Sequence, residues 1–251
     1  MNVGEVAIVL VVGLVAGALN SVAGGGTMIT YPALVFAGLD PITANATSTL
    51  ALWPGYVAAT AGFRRELAGT KPLLLRLAVP SLAGGIIGAI LLLLTSDRAF
   101  ELLAPFLILG AALLLMWQDR HPPAAHPERV AAATAGLLAW QFFAAIYGGY
   151  FGAGLGFVLL AGYGLFGNPD FLQSSGLKNA TTVLINGIAL VYFIAKGTVV
   201  WSDGLAMAIG ATAGGYSGAT IARRVGARPV RRFVVALGFL LAIALLVKAL
   251  V

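Results

Sequence analysis

The chain is written in long apolar runs cut by short polar breaks. Leu73–Leu94, Ala99–Trp117, Val130–Tyr147 and Phe233–Val251 each approach the roughly 20 residues that a helix needs to cross a bilayer. None alternates as the short segments of a membrane barrel would. Residues 3–19 predict a first span, ended by Asn20, Ser21 and the glycines Gly24, Gly25 and Gly26. Thr27–Gly38 is apolar but only 12 residues long, too short to span alone. LDPI at 39–42 predicts a turn into a new helix, with Pro41 in the first turn, where its missing N–H costs nothing. That helix runs to about Gly62, and the basic loop FRRELAGTK follows. Spans at 72–94 and 99–117 flank the turn TSDR.

The polar, proline-bearing stretch DRHPPAAHPER at 119–129 divides the chain into halves at 1–118 and 130–251. The halves repeat. NATSTL from Asn45 matches NATTVL from Asn179, and Asp170 lies 130 residues after Asp40. GGYSGA at 214–219 lies 130 after GGIIGA at 84–89. Each NAT phrase is preceded by a glycine knot, AGGGT at Ala23–Thr27 and GAGLG at Gly152–Gly156. Internal duplication of this kind is typical of transporters.

Composition sets the class. Of 251 residues 60% are hydrophobic and 10% charged, against about 25% charged in soluble domains, so an integral membrane protein is expected. Cysteine is absent, which excludes disulfide frameworks and thiolate metal sites. The net charge of +6 lies mostly in short loops, where it sets topology rather than binding nucleic acid. The first apolar run lacks a basic leader and carries only Glu5, so it reads as a retained helix rather than a signal peptide.

Loop charge relates the halves. Arg64, Arg65, Lys71 and Arg76 follow the first NAT span, whereas the matching loop at 196–203 holds Lys196 and Asp203. Conversely, RRVGARPVRR at 223–232 carries five arginines and its first-half counterpart only Arg98. By the positive-inside rule corresponding loops then lie on opposite sides. The expected fold is an all-α polytopic membrane protein of two inverted repeats. Each repeat has about five helical segments, giving eight long spans and two short half-helices, with 119–129 as a cytoplasmic linker and both termini outside. Parallel repeats with re-entrant loops are the other arrangement.

Glycine knots allow unwound backbone and close ligand approach. A helix restarting after such a knot points free N–H groups and a positive dipole end inward. Gly25, Gly26 and Thr27 in one half, and Gly154 and Gly156 in the other, are therefore candidates for an anion site; tight hairpins are the structural alternative. Asn20, Asn45, Thr47, Ser48, Asn179 and Thr182 add polar side chains, each of which could equally be interhelical glue. Lys178 lies eight residues past Asp170, inside an apolar helix, and its first-half counterpart is Ala44. An intramembrane lysine costs at least about 2.5–3.5 kcal/mol and marks a functional candidate; the alternatives are snorkelling or pairing with Asp170. Asp40 and Asp170 read as N-caps. His121 and His126 lie in the solvated linker. Gly13/Gly17, Gly84/Gly88 and Gly214/Gly218 have helix-packing spacing and would also permit a homodimer. No nucleotide loop, metal-ligand spacing or nucleophile–base pair is present, so no enzyme activity, metal or cofactor is expected.

AGALNSVAGGGTMITYPALVFAGLDPITANATSTLALWP resembles the first-repeat signature of the TauE/SafE sulfite exporter (TSUP) family, and GGYFGAGLGFVLL with GLKNATTVLINGIALVYF resembles its second. The resemblance implies a multi-pass carrier of the bacterial or archaeal inner membrane. Its substrates would be small sulfur-containing anions: sulfite, thiosulfate, sulfoacetate or other organosulfonates. It also implies that Asn45, Thr47, Ser48, Lys178, Asn179 and Thr182 line the site. The expected function is secondary transport by alternating access; a channel-like anion pore and a non-transporting membrane anchor are the alternatives.

Overall fold

The structure, a computed structural model, describes residues 3–22, 24–120, 134–166, 170–225 and 227–250. Every regular element among them is an α-helix. In the first half these are α1 (Val3–Val22), α2 (Thr27–Phe36), α3 (Pro41–Gly62), α4 (Lys71–Leu94) and α5 (Asp97–Arg120). In the second they are α6 (Ala135–Tyr150), α7 (Leu155–Leu165), α8 (Phe171–Ala195), α9 (Trp201–Val225) and α10 (Ala227–Leu250). Helices α2 and α7 have 10 and 11 residues, as the short apolar segments predict. Among the described residues, α4 and α8 are both long and apolar enough to cross a membrane.

Boundaries shift in two places. Helix α1 continues to Val22, so Asn20 and Ser21 form its last turn instead of breaking it. Helix α5 takes in Asp119 and Arg120, the first residues of the expected linker. The rest of that linker, with His121, His126 and the start of the span expected from Val130, lies outside the described residues.

The helices pair across the halves. Helix α1 packs along α9 and α4 along α6, while α3 and α8 meet centrally and lean on α9 and α4. Exchanging α1–α5 for α6–α10 maps the α1·α9 contact onto α6·α4, and α3·α9 onto α8·α4. Glycines set the spacing. A Cβ on Gly88 would stand 2.1 Å from Ile146 O, and one on Gly214 2.0 Å from Leu14 O, so backbone rests on backbone. Gly13, Gly17, Gly84 and Gly218 meet neighbouring helices in the same way. These faces are filled within the chain, so a homodimer would need another surface.

The caps differ between the halves. Asp170 accepts from the N–H groups of Leu172 and Gln173 at 2.8 and 3.0 Å, a standard N-cap. Asp40 occupies the same place before α3, but its side chain caps nothing. The Ile42 N–H donates instead to Asp97 Oδ1 at 3.0 Å. The acidic first turn of α5 thus caps α3 from outside and ties the two helices together.

Candidate substrate site

Both broken helices end in the same way. Gly24 N donates to Leu19 O and Gly152 N to Tyr147 O, each reaching back five residues. Both glycines have positive φ, +96° and +75°, where a side chain would be strained. The knots also touch: a Cβ on Gly24 would lie 2.3 Å from Gly156 Cα. Two duplicated sequences are thereby brought together.

The NAT helices then close the broken ends, each from the opposite half. Asn45 Nδ2 on α3 donates to Tyr150 O, the last carbonyl of α6, at 3.1 Å. Asn179 Nδ2 on α8 donates to Ser21 O, in the last turn of α1, at 3.1 Å. The last carbonyls of a helix lack intrahelical partners, and unsatisfied backbone at membrane depth costs several kcal/mol. The two asparagines answer that need.

Lys178 goes further. Its side chain is 1% exposed, and Nζ donates to Asn20 O at 2.6 Å and Ser21 O at 3.0 Å. Both acceptors belong to the negative end of α1, where a cation is favoured by the helix dipole. Snorkelling and an Asp170 partner, the alternatives read from sequence, do not describe this arrangement. At the α6 end the corresponding bond is the Asn45 amide to Tyr150 O, and the Tyr147 hydroxyl donates to Ala153 O in the glycine knot beyond it.

The restarted helix α2 is partly committed as well. Gly26 N donates to Asn20 Oδ1 at 2.6 Å, so an α1 side chain caps α2. Gly25 and Thr27 are buried beside it. On the other side Gly154, at φ +75°, opens α7, and Gly156 is packed under Gly24.

What is left unsatisfied is informative. Asn45 Oδ1, Asn179 Oδ1, Asn186 Oδ1, Ser21 Oγ, Ser175 Oγ and Asn20 Nδ2 are buried without a hydrogen-bond partner among the described residues. The Tyr56 hydroxyl stands within hydrogen-bonding reach of the Asn20 and Thr27 side chains. Buried polar atoms are paired in the great majority of cases, and each exception calls for a cause. Here all six lie on α1, α3 and α8, the helices that meet at the broken ends.

Three expected site residues serve elsewhere or alone. Thr47 Oγ1 accepts from Val200 N at 3.0 Å, at the entry to α9. Ser48 and Thr30 share a hydroxyl bond that fastens α3 to α2. Thr182 is buried one turn beyond Lys178, and among the described residues no hydrogen bond ties it to the others. Ser175 and Asn186 were missed from sequence, although spacing could have found them. With Asn179 and Thr182 they stand at intervals of four, three and four residues, one stripe of a helix. A second polar chain was also missed. Gln141 Nε2 donates to Ser81 Oγ at 2.9 Å, and the Tyr163 hydroxyl meets Gln141 Oε1 at 3.1 Å and Thr181 Oγ1 at 2.9 Å. That chain is satisfied throughout and binds α4, α6, α7 and α8 together.

Apolar residues close the region on two sides. Val22, Phe63 and Ala219 pack with Phe171 and Leu172 next to the α1 end. Beyond the α6 end, Phe100 stacks edge-to-face on Tyr31, Tyr150 and Phe151, with ring centres 5.4–5.8 Å apart.

Residues 9–245 match the family model described as "Sulfite exporter TauE/SafE". A probable membrane transporter protein, ORF9, of a Sinorhizobium species is 30% identical, the match covering 96% of this chain and 92% of that one. A probable membrane transporter protein of Haemophilus influenzae is 27% identical, with 96% and 94% covered. The probable membrane transporter protein YfcA of Escherichia coli K12 is 29% identical over 89% of this chain and 83% of its own. No solved structure matches.

Proposed function

Because the chain belongs to the TauE/SafE sulfite exporter family, a family of membrane transporters rather than enzymes, we propose that it is a secondary carrier of small sulfur-containing anions. The substrate class is sulfite, thiosulfate, sulfoacetate or a related organosulfonate. The observation that carries this reading is the set of buried polar atoms on α1, α3 and α8 that have no hydrogen-bond partner among the described residues. A fold gains nothing by burying such atoms dry, whereas a site that alternately takes up and releases a polar ligand requires them.

The geometry refines which groups meet the ligand. Lys178, Asn45 and Asn179 already hold helix ends, so the hydroxyls of Ser21 and Ser175 and the Asn20 amide are the ready donors. The remaining atoms at Asn45, Asn179 and Asn186 are acceptors. A ligand bringing its own donor beside its anionic oxygens, such as hydrogen sulfite or taurine, would satisfy both sets. Two repeats of opposite orientation, crossing the inner membrane many times, would expose this centre to each side in turn by rocking. The apolar packing at Phe63 and at Phe100 supports a closed intermediate of that cycle.

The test is uptake of radiolabelled sulfite, thiosulfate, sulfoacetate and taurine into proteoliposomes. Saturable flux accelerated by unlabelled substrate on the far side marks a carrier. Large, non-saturating current marks the pore, and absence of flux for all four removes the substrate class.

A further inference from the structure

The α3–α4 loop holds a feature the transport reading does not use. Arg64 and Arg65, with Gly62, Tyr216, Ala219 and Thr220, line a polar cavity of about 190 Å³ between that loop and α9. Arg64 also heads a second cavity of about 510 Å³, walled by Val57, Ala61, Leu74, Val183 and Leu184 of α3, α4 and α8. Arg64 therefore lines both a polar chamber and an apolar groove. Neither Arg64 nor Arg65 has an acidic partner among the described residues. Thr220 adds a hydroxyl, and Tyr216 an aromatic edge with a polar tip.

A free inorganic anion would explain the chamber but not the groove. An apolar chain would explain the groove but not the paired arginines. We propose that the two cavities form one site for an anionic phospholipid, its phosphodiester in the Arg64/Arg65/Thr220 chamber and one acyl chain along the groove. Guanidinium pairs phosphate oxygens in bidentate fashion, and basic recesses between membrane helices are suited to acidic headgroups. The site has a mechanical consequence. The lipid chain would lie against Val183 and Leu184, one to two turns beyond Asn179 on α8, and against α3 below its NAT phrase. Bound lipid would brace the two helices that close the broken ends.

The experiment is native mass spectrometry of the full chain released from micelles containing equal amounts of phosphatidylglycerol and phosphatidylcholine. Wild type is expected to retain one phosphatidylglycerol in preference to phosphatidylcholine. At roughly 1 kcal/mol per basic residue, Arg64→Gln with Arg65→Gln lowers that retention about thirtyfold. Lys71→Gln with Arg76→Gln removes the same charge from the same segment outside the cavities, and retention should persist. Ala61→Trp fills the groove with both guanidiniums intact, and is expected to expel the lipid as well. Circular dichroism and elution volume identify any variant that has misfolded. Equal loss in both charge variants would reduce the effect to general surface charge and overturn the proposal. Displacement by soluble glycerol phosphate, or full retention in Ala61→Trp, would show a small-anion chamber instead and overturn it too.

Discussion

Replacing Lys178 by Met should damage the fold before it reports on the substrate. The ammonium makes two bonds to α1 carbonyls, at 2.6 and 3.0 Å. Hydrogen bonds to charged groups contribute about 1.5–3 kcal/mol each, so both together bracket about 3–6 kcal/mol. Ser21 O keeps the Asn179 amide as a donor, whereas Asn20 O loses a buried partner outright. The lower end, about 3 kcal/mol, is therefore the working figure. At about 2–4 °C per kcal/mol for a chain of this size, the melting temperature in detergent should fall by about 6–12 °C. The assay is thermal unfolding followed by elution profile, run beside flux on the same preparation. Loss of flux with that fall means that the α1 end has come undone. A variant that melts within about 2 °C of wild type would refute the bracing role.

Gly88→Ala should push α4 and α6 apart, because its Cβ meets the Ile146 carbonyl at 2.1 Å; a cost of about 1–3 kcal/mol is expected. Gly110→Ala, with nothing within 4 Å, should be neutral or stabilising by a few tenths of a kcal/mol or more, and the two melting curves check the contrast. Asp97→Ala should destabilise by about 0.5–2 kcal/mol through the lost cap on α3, while Asp40→Ala should change the melting temperature little. Equal effects would mean that the cap has been placed on the wrong carboxylate. If the acceptor-rich centre takes a ligand with its own donor, sulfite flux should rise as pH falls and hydrogen sulfite accumulates, whereas thiosulfate flux should not follow. Parallel pH profiles for the two anions would contradict that preference.

Much of this was legible because duplication is a pattern of sequence. The paired knots and NAT phrases marked the regions where Gly24 meets Gly156 and where Asn45 and Asn179 make their reciprocal bonds, although the bonds themselves were not foreseen. The two short segments were legible from length, the second expected at Phe157–Gly167 and found at Leu155–Leu165. Roles were less so, because they depend on which carbonyl a side chain meets. Lys178 looks like a free charge until the end of α1, more than 150 residues earlier, is placed against it. Thr47 looks like a site hydroxyl until Val200 arrives from the loop before α9. Asp40 and Asp97 exchange roles for the same reason: the N-terminus of α3 is packed against the start of α5, a tertiary contact with no local signature. Ser175 and Asn186, by contrast, were within reach of helical spacing alone.

The most direct test of the account is flux and stability measured together for Ser175→Ala and Asn186→Leu. Each removes a buried polar oxygen that has no hydrogen-bond partner among the described residues, so neither should lower the melting temperature. Both should weaken transport, raising the substrate concentration for half-maximal flux about fivefold or more, as expected for one lost hydrogen bond. Stable variants with impaired, saturable flux would place the ligand at the meeting of the two broken helices. Stable variants that transport as wild type would contradict the claim and send the site elsewhere in the molecule.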